Sequence, residues 1–195
     1  DQVSVYLSAG GGFLNPMPLV SMGGTPRSVV VADFDEDGKA DIASANPSQD
    51  EIAVALGDGL GGFGTAVQFP AGTFPVWIVA GDFDEDGHLD IVVGNQSSDD
   101  LSILLGDGLG GFGAETRYPL GSSVEQLRVA DMNNDGHLDI VSASWLDTQV
   151  VVALGDGAGA FSVATSVYAS FPKGLDVGDV NADGVPDVVT ASSQH

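Results

Sequence analysis

A nine-residue acidic segment occurs four times, and its spacing constrains the fold more than any other feature of the chain. Asp33-Phe34-Asp35-Glu36-Asp37-Gly38-Lys39-Ala40-Asp41 returns at 82–90, 131–139 and 179–187, with first residues 49, 49 and 48 apart. A second motif keeps that period. Leu-Gly-Asp-Gly-Leu-Gly-Gly-Phe at 56–63 returns at 105–112 and 154–161, and a worn copy occupies 7–13. The chain of 195 residues therefore reads as one domain, 1–195, with repeats at approximately 1–49, 50–98, 99–147 and 148–195.

Each repeat reads as four short strands. In the first full unit, 29–32 leads into the acidic loop and 42–45 leads out of it. Segment 52–56 runs into the glycine turn, and 66–69 follows. These runs are rich in β-branched residues and bounded by Gly, Asn, Asp or Pro, which is the strand signature. No helical period of i, i+3, i+4, i+7 emerges. Four strands per 40–50-residue period predict an all-β chain, a β-propeller of four-stranded antiparallel blades with four repeats. The first repeat starts at its third strand (3–7) and the last stops at its second (187–191). The N-terminal strands are therefore expected to complete the last blade, which would remove two exposed sheet edges.

The acidic segment has the pattern of a metal loop. Oxygen ligands at its first, third, fifth and ninth positions suit a hard divalent cation. They are Asp33, Asp35, Asp37 and Asp41; Asp82, Asp84, Asp86 and Asp90; Asp131, Asn133, Asp135 and Asp139; and Asp179, Asn181, Asp183 and Asp187. Glycine at the sixth position permits the bend, with an expected positive φ. The seventh residue, Lys39, His88, His137 or Val185, then offers its backbone carbonyl. Three or four carboxylates with a carbonyl and water match calcium better than magnesium, which retains more water. Four ions per chain, one per repeat, are expected. An EF-hand is ruled out, because it needs Glu at position 12, where Ser44, Val93, Ser142 and Thr190 stand. Of the 28 acids, 16 lie in these loops, and four calcium ions would move the net charge from -23 to -15.

These residues carry a family resemblance. Val-Ala-Asp-Phe-Asp-Glu-Asp-Gly at 31–38, the downstream Asp41-Ile42, and Phe63-Gly64 resemble the FG-GAP/VCBS-type repeats of integrin α-subunit propellers and of bacterial integrin-α-like proteins. The resemblance repeats in phase across essentially the whole chain. It implies calcium in the hairpin between the first and second strands of each blade, with Asp33, Asp35, Asp37 and Asp41 and their counterparts as ligands. It also implies an extracellular or cell-surface location. The family's closed propellers usually carry seven blades, and four repeats depart from that. A homodimer forming an eight-bladed ring is the expected assembly, with a closed four-bladed monomer and an open fragment as alternatives.

Composition narrows the partners. A chain with 28 acidic and 5 basic residues repels phosphate backbones, so no nucleic-acid partner is expected. No run of 18 apolar residues occurs, so no membrane insertion is expected. The absence of cysteine excludes a disulfide scaffold and a thiolate site. Asp1-Gln2-Val3 lacks a signal-peptide pattern, as a mature secreted chain would.

The remaining residues divide into turns and a candidate face. Asp58, Asp107 and Asp156 could form a second metal set, but a glycine-rich hairpin turn is the expected role. The rings of His88 and His137 are expected to face solvent, and His195 is terminal and expected to be mobile. Repeats diverge in the loops before the first strands, at 25–27, 74–77, 124–126 and 171–173. Such divergence fits either a ligand face or drift, and Phe74 and Trp77 suit packing between blades as well. No nucleophile or phosphate-binding motif occurs, so the chain is expected not to be an enzyme. A calcium-binding module for binding or adhesion to protein or glycan is the expected function, and a structural unit without a ligand is the alternative.

Overall fold

The computed structural model of the protein describes residues 1–192, and His195 lies outside the described residues. In chain order the strands are β1 (Gln2–Val3), β2 (Tyr6–Ser8), β3 (Leu14–Pro16), β4 (Val20–Ser21), β5 (Ser28–Ala32), β6 (Asp41–Asn46), β7 (Glu51–Ala55) and β8 (Val67–Pro70). They continue as β9 (Pro75–Gly81), β10 (Asp90–Asn95), β11 (Asp100–Leu104), β12 (Thr116–Pro119), β13 (Gln126–Ala130), β14 (Asp139–Ser144), β15 (Gln149–Gly155), β16 (Phe161–Tyr168), β17 (Pro172–Gly178) and β18 (Asp187–Ser192). No helix among the described residues is long and apolar enough to cross a membrane.

Three complete antiparallel meanders form, from β5 to β8, β9 to β12 and β13 to β16. Their second strands explain why alternation is weak in the sequence. Every residue of β6, β10 and β14 is buried. A strand covered on both faces has no polar side to show, so Ile91-Val92-Val93 reads as an unbroken apolar run. One face meets the preceding sheet and the other meets the following one.

The core is accordingly a series of seams between successive sheets. Ala43 shares a buried cluster with Ile78, Val92 with Leu127, and Val141 with Leu175. Each pair joins the second strand of one sheet to the first strand of the next. Aromatic rings extend two seams towards the acidic loops. Phe34 meets Phe112 edge-on with centroids 5.7 Å apart, and Phe83 meets Phe161 at the same distance. The chain is stitched at the same places, where Gly110 N donates to the Phe34 carbonyl at 3.0 Å and Gly159 N to the Phe83 carbonyl at 3.0 Å.

At the two ends of this array stand half-sheets. β1 pairs with β4 and β2 with β3, making a broken hairpin, while β17 pairs with β18. The hairpin packs on the first meander through Val3 and Val5, beside Val20, Met22 and Ile42. Within this chain the N-terminal strands do not complete the last blade, and the two half-sheets are separate. Three packed sheets lie between them, at about 10 Å per layer, so the halves sit at opposite ends of the array.

The seam geometry sets the stability of each layer. Phe83→Ala, at a residue 3% exposed, is expected to cost about 3–5 kcal/mol in denaturant unfolding. Leu109→Ala, at a residue 77% exposed, is expected to stay within about 0.5 kcal/mol.

Candidate metal centre

The acidic loops connect the first strand of a sheet to the second and are built on a shared hydrogen-bond pattern. In the first, Gly38 N donates to Asp33 Oδ2 at 2.9 Å, and Asp37 N donates to Asp33 Oδ1 and Asp35 Oδ1, both at 3.2 Å. The third loop repeats this, with Gly136 N on Asp131 Oδ2 at 2.9 Å and Asp135 N on Asn133 Oδ1 at 3.0 Å. The fourth does so with Gly184 N on Asp179 Oδ2 at 2.9 Å and Asp183 N on Asn181 Oδ1 at 2.8 Å. Asparagine at the third position thus presents the same oxygen as aspartate. The glycines have φ of 83°, 95°, 96° and 86° at Gly38, Gly87, Gly136 and Gly184. The bend also demands left-handed backbone two residues earlier, at Glu36, Glu85, Asn134 and Ala182, with φ between 57° and 63°. Residues with a Cβ adopt that region at a cost, and nothing in the composition of the fourth position announces it.

Two loops bring three carboxylates together. Ligand atoms of Asp33, Asp35 and Asp37 lie within 4.8 Å of one another, as do those of Asp82, Asp84 and Asp86. Asp82 Oδ1 is buried and has no hydrogen-bond partner among the described residues, so it could serve as a metal ligand. Burial pushes the Asp35 and Asp84 carboxyls up, and neighbouring carboxylates add to the shift. In the opposite direction, the Lys39 ammonium, 2.5 Å from Asp37 Oδ2, lowers Asp37. Backbone N–H groups hold Asp135 and Asp179 low, chiefly those of His137 and Gly184. The donor set is all oxygen and mostly anionic, which fits a hard cation.

The ninth position has a second task. Asp41 is fully buried and accepts the Phe34 N–H at 2.8 Å on Oδ2 and the Gly57 N–H at 2.7 Å on Oδ1. Asp90 does the same with Phe83 N and Gly106 N, and Asp139 with Met132 N and Gly155 N. This carboxylate ties the acidic loop to the glycine turn of its own sheet. Each oxygen keeps a further lone pair for a cation. The first glycine of that turn is needed for close approach, since a Cβ on Gly57, Gly106 or Gly155 would collide with the carbonyl of Ala40, Leu89 or Leu138. The sequence marks both motifs but not their contact. Asp58 accepts from Leu60 N at 2.7 Å and Gly62 N at 2.9 Å, so it serves the turn.

The histidine rings are about a third exposed, at 37% and 34% for His88 and His137, but each is held by a glutamate. His88 Nδ1 lies 2.5 Å from Glu36 Oε1, and His137 Nδ1 lies 2.5 Å from Glu85 Oε1. Each pair links the acidic loops of successive sheets, and the glutamate raises the imidazole pKa. The stacking of sheets, invisible in one repeat, brings the fourth position of one loop to the seventh of the next.

At the opposite end of the inner strands, three of the few cations lie on aromatic faces. Arg27 stands 5.8 Å from the Phe74 ring centre, Arg128 5.8 Å from Trp77, and Lys173 5.9 Å from Trp145. A cleft of about 300 Å³ opens among Arg27, Trp77, Glu125, Gln126, Trp145 and Lys173. The divergent loops therefore converge on one place, and Trp145, from the loop after β14, joins them without having stood out in the sequence.

Comparison with known proteins agrees with this geometry. The family described as FG-GAP-like repeat matches residues 33–93, 82–142 and 131–190. Among curated proteins none matches in sequence. A solved structure of a protein from Lactobacillus plantarum is similar, at 15% identity and a TM-score of 0.58, covering 87% of this chain and 51% of that one. BBS1N, solved in complex with ARL6DN, is similar at 15% identity and a TM-score of 0.53, covering 83% and 49%. Rhamnogalacturonan lyase YesW follows at 16% identity and a TM-score of 0.50, covering 97% and 43%. At such identities the likeness concerns the fold. The chain spans about half the length of the first two structures.

Protonation would compete with cation binding in these loops. Burial pushes the Asp90 carboxyl up to about 6, from 3.8. A raised folded-state pKa means that the metal-free fold gains from the proton at low pH and loses that gain as pH rises through about 6. Calcium affinity is expected to run the other way and to weaken as pH falls through about 6. Calcium titrations across that interval check it.

Proposed function

Since the chain belongs to the FG-GAP-like repeat family, we propose that it is a calcium-binding β-propeller module that works in binding or adhesion outside the cell, with a protein or glycan as its ligand. The observation that carries the metal reading is the pair of three-carboxylate clusters, one of which holds a buried, unpartnered oxygen. Without a cation their mutual repulsion opposes the loop geometry. Asp33, Asp35, Asp37 and Asp41, with their counterparts in the other loops, would hold the ion, and Lys39, His88, His137 and Val185 would add backbone carbonyls. Bound calcium supplies charge neutralisation and a fixed loop, not a reaction. The reading as a non-enzyme rests on this commitment of the carboxylates to metal and backbone. Placement outside the cell rests on the family and on the calcium available there.

The ligand face in this reading is the cleft between Trp77 and Trp145. Its flat aromatic surfaces suit sugar rings, and Arg27, Lys173 and Gln126 offer hydrogen-bond donors around them. The cleft lies away from the acidic loops, so metal and ligand occupy different ends of the inner strands.

Three outcomes follow from this reading. Extracellular calcium modules bind at roughly 10⁻⁴–10⁻³ M. With free ion at about ten times the dissociation constant each site adds ~1.4 kcal/mol, and four independent sites would give ~6 kcal/mol. Chelation is therefore expected to lower the melting temperature sharply, and an unchanged melt after confirmed metal removal would contradict it. Loops 33–41 and 82–90 carry five acids each and the other two carry three. Asp37→Ala should then remove more calcium affinity than Asp183→Ala by calorimetry, and equal losses would overturn the ranking. For the ligand face, a glycan and protein-ligand screen of the calcium-loaded chain is expected to yield a binder that Trp145→Ala weakens about tenfold or more. Retention unaffected by Trp145→Ala would move the site elsewhere, and no binder at all would favour the structural unit.

A further inference from the structure

Among the described residues, two of the chain's 5 basic side chains have no acidic partner, and both line the same cleft. Lys39 pairs with Asp37, Arg117 with Asp100 and Arg128 with Asp176. Arg27 and Lys173 form no such pair, although the chain carries 28 acids. Each lies instead on an aromatic ring, Arg27 on Phe74 and Lys173 on Trp145. A cation on a ring face keeps its charge, so both heads can still take an anion.

The repeat itself brings these groups together. Six residues before the first aspartate of each acidic loop stand Arg27, Val76, Glu125 and Lys173, and all four line the cleft. One position of the repeat, contributed by every unit, thus walls the cleft, and it is a position where the units differ in charge. Glu125 is the one acid among the described lining residues, and it is engaged elsewhere. It is 8% exposed, its Oε2 accepts the Trp145 N–H at 2.6 Å, and its Oε1 accepts the Gln96 amide at 3.2 Å. That engagement anchors the loop that carries Trp145. The charge left at the surface of the cleft is that of Arg27 and Lys173.

We propose that the cleft selects a saccharide that bears a carboxylate, a uronic acid, with Arg27 and Lys173 on the carboxylate and Trp145 against the ring; this rests on the reading of the cleft as the ligand face. The anion follows from the two unpaired cations, since a guanidinium and an ammonium hold a carboxylate by charge-assisted hydrogen bonds. The sugar follows from shape. Trp145 is 40% exposed beside the cations and offers a flat apolar face to a ring. At about 300 Å³ the cleft is small for a ligand site, with room for a sugar ring but not for an extended acidic peptide. Gln126 donates to the Lys173 carbonyl at 2.8 Å and keeps its amide oxygen for a sugar hydroxyl. The net charge of -23 opposes dense polyanions at long range, so the cleft fits a short or sparsely charged acidic glycan.

Calorimetry of the calcium-loaded chain with trimers of galacturonate, glucuronate, mannuronate and guluronate, each beside its methyl ester, tests this. At least one acid is expected to bind about tenfold or more tightly than its ester, which keeps the ring and loses the charge. Arg27→Gln and Lys173→Gln, with unchanged melting temperatures, should each bring the acid towards its ester and leave the ester as it was. Lys173→Arg, which keeps the charge, should retain most of the preference, and Trp145→Ala should weaken acid and ester alike. Acid and ester bound equally, and both weakened by Trp145→Ala, overturn the inference while the ligand face stands. The same holds if no trimer binds but a wider screen finds a binder that needs Trp145. If no trimer and no other ligand binds, both fall. An acid preference indifferent to Arg27→Gln and Lys173→Gln overturns the inference, because the carboxylate then sits elsewhere, as on calcium in the acidic loops. So does a short polyglutamate peptide that competes as well as the acid.

Discussion

The fully buried aspartate that ends each of the first three acidic loops is the constraint on which the repeat depends. Asp41, Asp90 and Asp139 each accept one backbone N–H from the acidic loop and one from the glycine turn. A buried carboxylate is tolerated only when its oxygens are satisfied, so loop and turn must both be in place for either to be stable. The turn can come close enough only because its first residue is glycine. Two motifs sixteen residues or more apart in the chain are thus one device, and both keep the same period because they answer to the same carboxylate.

Stacking turns that device into a layered structure with two different ends. The acidic loops share one end of the inner strands, where Glu36 reaches His88 and Glu85 reaches His137 across the seams. Those contacts are charge-complementary and sit in a strongly acidic neighbourhood. At the other end Arg27, Arg128 and Lys173 lie on Phe74, Trp77 and Trp145. A chain with only 5 basic residues places three of them there.

Much of this was legible in the chain itself. Period, strand order, the acidic loop and its bend follow from local chemistry, since Gly38 and its counterparts must turn and alternating aspartates must converge. The family match confirms the repeat type. Less legible was whatever one repeat does to another. The histidine rings look free in the sequence because their glutamate partners lie 52 positions away. Trp145 looks like an ordinary loop residue until Lys173 is placed over it.

The sequence alone determined that this chain is an all-β stack of repeats with oxygen-rich loops, because those properties are set within about ten residues at a time. Only the tertiary structure decided that the ninth aspartate of the first three loops is a brace and that the loops are linked by His–Glu pairs. The reason is that a repeat specifies its own strands and turns by local geometry. The face it presents to a neighbour has meaning only when the neighbour is there.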